Sequence, residues 1–389
     1  MMPALCWPIG RRELRMGLTM PGTPPPLKTF AEGTASFPVP IPSGSLAVTA
    51  PATSRSVMLT PVPKSGFVSL LRFNATGTLN VTTAAATQYN VPLWRLIQNY
   101  TLQNSLNYPY RSLNGDDIHE WARITGGVGS QDPITGSLTY ENPTVTAIAN
   151  NVPFAFGWTD HIGQNSGINF SRYLLSALNT SNDLTIVITF LPIGSLAALQ
   201  QGTAVIGSYS CAIQVSVEYF TVPKPTEYMW PARNIVQQVL GDPSFTNVVQ
   251  GENDVNITPI SGPEFTGLGI QALAAGGALD PMTPAGGFIS EVDLYVDGTI
   301  PIKQYKFADL VWRYEELFGR SPAGGYIVLD LMSDLSLPNV MSHIHRKVMS
   351  TSKYSQITAK VFTTANYTLG AGAKINLLKR TQQKYANNR

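Results

Sequence analysis

The sequence predicts an all-β protein with a few short helices, folded as two tandem eight-stranded jelly-roll barrels (a double jelly roll). Three observations predict it. Apolar and polar residues alternate with period two in many short stretches, the mark of half-buried strands. A proline-rich stretch near the middle of the 389 residues, 221–233 (TVPKPTEYMWPAR), interrupts that pattern, where a linker between duplicated units would fall. The parts on either side of it follow a similar order.

Taken along the chain, residues 1–55 come first. Pro24, Pro25, Pro26, Pro38, Pro40, Pro42 and Pro51 exclude a helix and any central strand there. The expectation is an extended arm on the domain's own surface or on a neighbour. Strands are predicted at 56–62, 66–74, 78–83 and 93–103. A helix follows in NGDDIHEWARI, 114–124. Asn114 or Asp116 caps it, acids fill its first turn, and Gly126-Gly127 ends it. Ile118, Trp121 and Ala122 share one face of that helix. Further strands are predicted at 144–149, 152–158, 183–191 and 209–220. The second half offers strands at 235–240, 253–259, 287–296 and 299–304. A helix at 307–318 (FADLVWRYEELF) then carries an apolar stripe of Leu310, Val311, Tyr314, Leu317 and Phe318. Strands at 325–331, 355–364 and 374–378 complete the set. Gly267 and Gly269 read as loop.

The repeat matches the helix bearing Trp121 with the helix bearing Trp312. It matches 188–192 and 213–220 with 329–333 and 357–364, and leaves an insertion at about 127–180 in the first half. The division that results is an arm (1–55), a first barrel (56–222), a linker (223–233), a second barrel (234–380) and a basic tail (381–389). A single continuous sheet system, or halves that fail to superimpose, would end the case built on this tandem.

Charged residues are only 13% of the chain, about half the usual share. With 33 glycines and 29 prolines, this implies a neutral, polar, turn-rich surface. Such a surface suits packing against copies of itself, because few charges need desolvation. The net charge of +2 is unevenly spread, and no Asp or Glu follows Asp334. Arg11, Arg12 and Arg15 near one end, and Lys379, Arg380, Lys384 and Arg389 near the other, are candidates to face an anionic neighbour. That neighbour would be lipid headgroups or nucleic acid of no specific sequence; a solvated basic tail is the alternative. Cys6 and Cys211 make no disulfide framework, and Cys211 falls in a strand pattern as a buried thiol. The first residues lack a secretory pattern and no clean run of about 18 apolar residues occurs, so the chain is expected to be made soluble inside a cell.

Catalytic and metal motifs are weak. His343 and His345 could share one ion from a strand, but no acid or third histidine follows them. Asp116, Asp117, His119 and Glu120 sit where a helix start favours acids. Asp330 with Asp334, or Glu315 with Glu316, are carboxylate pairs of the kind helices and loops expose. Asn-x-Thr sites at Asn74, Asn80 and Asn366 reflect composition. Trp94, Tyr108, Tyr110, Trp158, Tyr228 and Trp230 could stack on sugars, though core packing is the commoner use of such rings. No enzyme and no cofactor is expected.

The length, the duplication, one helix per barrel, the proline-rich junction, and segments such as NVPFAFGW (151–158) and DLTIVITFLP (183–192) together resemble the double jelly-roll major capsid proteins of tectivirus-like bacteriophages. These are tailless icosahedral viruses with an internal membrane. The resemblance covers about 56–380. It implies a homotrimer of pseudo-hexagonal outline that tiles a shell over a membrane. It further implies neighbouring capsomers, penton and minor capsid proteins as partners, location in the virion and synthesis in the host cytoplasm. Family members often begin with an amphipathic helix, for which residues 11–16 leave little room. Two other classes share this architecture: a carbohydrate-recognising receptor-binding or fibre protein, and a cupin- or glycosidase-type enzyme.

Overall fold

The computed structural model describes residues 28–29, 35–40, 46–49, 51–59, 67–81, 88–90, 93–125, 144–146, 150–162, 175–176, 183–199, 206–221, 228–229, 235–245, 248–257, 264–274, 287–318, 326–330, 349–350, 356–364 and 372–384. The first half contains β1 (Lys28–Thr29), β2 (Ala35–Pro40), β3 (Leu46–Thr49), β4 (Arg55–Leu59), β5 (Phe67–Val81), β6 (Gln88–Asn90), β7 (Ile97–Asn104) and β8 (Pro109–Leu113). It continues with α1 (Gly115–Thr125), β9 (Thr144–Thr146), β10 (Asn150–His161), β11 (Leu175–Ser176), β12 (Leu184–Phe190) and β13 (Ile206–Thr221). After β14 (Tyr228–Met229) come β15 (Ile235–Phe245), β16 (Glu252–Asn256), β17 (Glu264–Leu273), β18 (Ile289–Val296) and β19 (Ile300–Lys306). The chain closes with α2 (Phe307–Phe318), β20 (Tyr326–Asp330), β21 (Met349–Ser350), β22 (Ile357–Thr363) and β23 (Lys374–Lys384).

Each half is a sandwich of two four-stranded layers, wired identically. In the first, β10-β5-β13-β2 face β8-β7-β12-β4, with β3 also pairing β13. In the second, β20-β17-β23-β15 face β16-β22-β18-β19. Number the barrel strands of each half from one to eight, taking β2 and β3 as one strand. Both halves then read 1-8-3-6 in one sheet and 2-7-4-5 in the other, which is the double Greek key of a jelly roll. Among the described residues, the one α-helix of each half lies between strands five and six. The turn between strands four and five enters the left-handed region in both as well, at Asn107 (φ 57) and at Asp297 and Gly298 (φ 50 and 74), where Asn, Asp and Gly are tolerated best.

Three structural facts revise the predicted boundaries. Strand one of the first barrel lies inside the predicted arm: β2 pairs with Ser216–Thr221 of β13. Proline blocks a central strand but not an edge, and β2 has β13 as its neighbour on one side. Pro153 and Pro301 likewise sit in the edge strands β10 and β19, and Pro243 sits at a register shift of β15. The predicted insertion at 127–180 contains β10, which pairs with β5 through twelve consecutive residues and is barrel strand six. At the far end, β23 runs through Lys384, so the tail begins later than 381.

The repeat itself is one strand out of phase with the sequence reading. β12 corresponds to β22, and both show the same burial order from end to end; β20, which holds residues 329 and 330, answers to β10 instead. The separate strands predicted at 66–74 and 78–83 are one 15-residue strand, β5. Gly77 is no turn there: a Cβ would strike the Ser210 carbonyl and the Phe154 ring, so close packing demands glycine. Gly267 and Gly269, read as loop, lie in β17, an interior strand between β20 and β23.

Two apolar cores fill the sandwiches. In the first, Phe73 stacks on Trp158 with ring centroids 4.3 Å apart, among Tyr100, Phe156, Ile186 and Ile213. In the second, Leu268, Ile270, Val292 and Val361 interlock. The sandwiches are not wholly separate. One layer of each joins in a nine-stranded sheet through a short parallel contact of β8 with β15, Arg111 beside Val239 and Ser112 beside Leu240. The other layers remain distinct sheets.

Candidate functional site

Among the described residues, the chemistry-bearing ones singled out in the sequence sit on separate structural elements and bind their own neighbours. Asp116 accepts hydrogen bonds from the Trp94 indole (2.9 Å) and the Arg95 guanidinium (2.8 Å), while His119 stacks on Trp94 at 4.1 Å. These contacts fasten the start of α1 to the turn before β7. Asn114 is the cap, accepting the Asp117 backbone N–H at 2.9 Å. Trp158 is a core ring, and Tyr108 packs edge-on against Tyr110 at 5.6 Å. Glu315 is exposed on α2, and Asn80 donates to Asn151 at 3.1 Å. His343, His345, Asp334, Asn366, Trp230, Arg11, Arg12, Arg15 and Arg389 lie outside the described residues. Among the described residues, no group of three or more His, Cys, Asp or Glu is arranged to hold a metal ion.

Of the basic residues, Lys379 is half-buried and Lys384 ends β23. Arg380 is a correction: it is 6% exposed, packed across Gly267, where a Cβ would collide with its guanidinium. It lies on the same face of β23 as Leu378, buried and not at the surface of the chain.

The sequence reading missed two buried polar groups. In the first barrel, Arg111 and Asp160 are 0% and 1% exposed and pair at 3.1 Å. Asp160 also accepts from the Tyr100 hydroxyl (2.9 Å) and the Trp121 indole (3.1 Å). This one carboxylate therefore ties β7, β8, α1 and β10 together. Burial, with the Asp160 charge second, raises the Tyr100 pKa well above its ordinary value. The signal was available: Asp160 follows Phe154, Phe156 and Trp158 on the inward parity of its strand.

The second group joins the barrels. Asp117, on the first turn of α1, accepts a hydrogen bond from the Tyr326 hydroxyl on β20. Gly241 on β15 lies directly beneath it, so close that a Cβ would meet the carboxylate. Tyr326, Gln271, Gly269, Leu378 and Gly241 share one face of the β20-β17-β23-β15 layer by register, the face turned away from the second core. Leu378 packs into the first core from that face. Burial is the main cause that lifts the Asp117 carboxyl from 3.8 to about 7, against the lowering effect of Tyr326 and the Asn114 N–H. No sequence signal marks this bond, because its partners are 209 residues apart.

The corresponding face of the first barrel, on β10-β5-β13, is open. Most of its residues are uncharged: Thr78 with Ser210 (2.8 Å), Asn80 with Asn151, and a row of Ala155, Thr76 and Ala212. One ion pair, Arg72 with Glu218 at 3.1 Å, crosses it. Elsewhere on the surface, Met58 on edge strand β4, Ile300 on edge strand β19 and Trp312 on α2 are 58%, 56% and 62% exposed. Among the described residues these surfaces carry no convergent catalytic set.

No protein-family model matches the chain, and no curated protein matches it either. Solved structures do. A structure of the Sulfolobus turreted icosahedral virus aligns with TM-score 0.60 at 12% identity, over 90% of this chain and 90% of that one. The PBCV-1 virus capsid aligns with TM-score 0.58 at 10% identity, over 90% and 93%. The major capsid protein P2 from bacteriophage PM2 aligns with TM-score 0.51 at 10% identity, over 91% and 99%. The chain thus has the double jelly-roll fold of these viral proteins along nearly its whole length.

Proposed function

We propose that this chain is the major capsid protein of a virus, acting by self-assembly and not by catalysis. The observation that carries the proposal is the tandem of two identically wired barrels, each with its helix between strands five and six. Two similar barrels in one chain let three copies present six similar sides, the outline that tiles a plane. The scarcity of charge supports it, since barrel sides that bear hydroxyls and amides desolvate cheaply against one another. Many modest contacts then sum to a tight shell. The domains divide as an arm before β2, a first barrel ending at β13, a linker over 223–233, a second barrel from β15 to β23, and a short basic tail.

The shell lies over an internal membrane in this reading. Arg11, Arg12, Arg15, Lys379, Lys384 and Arg389 turn toward anionic lipid or genome, and penton and minor capsid proteins complete the virion. Light scattering behind a sizing column tests the assembly: three times the 42.1 kDa chain mass supports it, and a monomer at every concentration contradicts it. Flotation with anionic liposomes at low and high salt, with and without residues 1–30, tests the membrane part. Binding that neither truncation nor salt reduces would contradict a role for the basic N-terminal end.

A further inference from the structure

The outer face of the β16-β22-β18-β19 layer is charged. By register it carries Glu252 and Asp254 on β16, Lys360 on β22, Glu291 and Asp293 on β18, and Gln304 and Lys306 on β19. These charges are unevenly matched. Lys360 stands in register between Asp254 and Asp293, yet its ammonium pairs with Glu252 and, at 3.6 Å, with Asp254. Asp293 Oδ2 accepts a hydrogen bond from Gln304 Nε2 at 3.2 Å. Asp293 Oδ1 is buried with no hydrogen-bond partner among the described residues, in a residue only 2% exposed. The Glu291 carboxyl, two residues back on the same face, lies within hydrogen-bonding reach of Asp293. Two ionised carboxylates only accept, so neither satisfies the other. Burial first, and the Asp293 charge second, raise the Glu291 pKa, with Lys306 opposing. Thr358, the neighbour of Tyr295 on this face, is 6% exposed and its hydroxyl is also without a partner among the described residues.

We infer that Glu291, Asp293 and Gln304 form a binding site for a calcium ion, which supplies the partner that Asp293 Oδ1 lacks and clamps edge strand β19 to β18. A buried anionic oxygen without a partner is costly, and a cation is the partner that two adjacent carboxylates call for. The donors are all oxygens, two carboxylates and the Gln304 amide oxygen once that amide turns round, which selects a hard cation. Glu291 is half-buried and Gln304 exposed, so solvent reaches the site and water can complete the coordination. Calcium accepts such an irregular oxygen set, whereas magnesium demands near-ideal octahedral geometry. With two charged ligands, the affinity falls at the weak end of the calcium range, a dissociation constant of roughly 10⁻⁴–10⁻³ M. β19 runs directly into α2, so the clamp also fixes where that helix begins.

Urea unfolding of the full chain near neutral pH, below the concentration at which it associates, tests the site with calcium chloride as the probe. The wild-type midpoint should rise as calcium increases from about 0.1 to about 10 mM over an EDTA baseline. Asp293→Asn should abolish the rise, and its midpoint in EDTA should equal or exceed that of wild type because a buried charge is gone. Glu291→Gln should weaken the rise. Asp254→Asn removes the same charge from the same face but outside the pair, and should keep the full response. Calcium should also slow hydrogen exchange across 300–306 in wild type and not in Asp293→Asn. A wild-type midpoint that ignores calcium overturns the site and leaves a proton shared by Glu291 and Asp293 as the way the pair is relieved. A rise that sodium chloride of equal ionic strength reproduces, or that survives in Asp293→Asn, or that Asp254→Asn abolishes, overturns it too.

Discussion

Replacing Asp117 with Asn should remove a pH dependence built into the barrel junction. Asp117 is 1% exposed, and burial raises its pKa from 3.8 to about 7. The folded chain therefore holds this proton more tightly than the unfolded chain does. The group's contribution to stability is full below about pH 4, declines as pH rises, and is gone above about pH 7. A shift of about three units at 1.36 kcal/mol per unit makes the change up to about 4 kcal/mol. Asparagine has no such proton. It can still accept the Tyr326 hydroxyl but loses the bond from the Asn114 N–H to the second carboxylate oxygen (3.2 Å), costing about 1 kcal/mol at every pH. The variant should thus be less stable than the parent by about 1 kcal/mol near pH 4 and more stable by up to about 3 kcal/mol near pH 8. Urea unfolding of both chains across this range, followed by tryptophan fluorescence below the assembly concentration, gives the difference directly. A difference that stays constant with pH would refute the reasoning.

Other substitutions test the interior. Asp160→Ala leaves Arg111 charged and buried and strips an acceptor from Tyr100 and Trp121, so urea unfolding should show a loss of about 3–5 kcal/mol. Arg72→Ala breaks an ion pair whose arginine side chain is 61% exposed, and the same measurement should move by under about 1 kcal/mol. Gly77→Ala drives a methyl into the Ser210 carbonyl; a midpoint shift worth about 1–3 kcal/mol is expected. The Cys211 thiol is buried, which pushes its pKa up to about 12. In a Cys6→Ser background it should resist a thiol reagent at pH 8 until urea unfolds the chain.

Much of the fold was legible because it rests on local pattern. The alternation in 209–220 and the stripe in 307–318 lie within a few residues of β13 and α2. What misled was residue type read without its neighbours. Pro38 and Pro40 suggested an arm, yet an edge strand leaves alternate N–H groups unused and tolerates them. Gly267 and Gly269 suggested a loop, yet they make room for Arg380 and Leu378 on the next strand. Arg380 itself looked like one of the basic residues that face an anionic neighbour, since nothing nearby in sequence announces that residues 375–378 and 380–381 of β23 are buried on both faces. The junction of Asp117, Tyr326 and Gly241 was invisible for a different reason. It joins three segments, and only the wiring of two barrels brings them together.

Class averages of the purified oligomer in the electron microscope test the central claim most directly. Three chains in which both barrels serve as equivalent sides should appear as a closed hexagonal ring of six similar densities. Three two-lobed bodies with no sixfold outline, or an open string of chains, would contradict it.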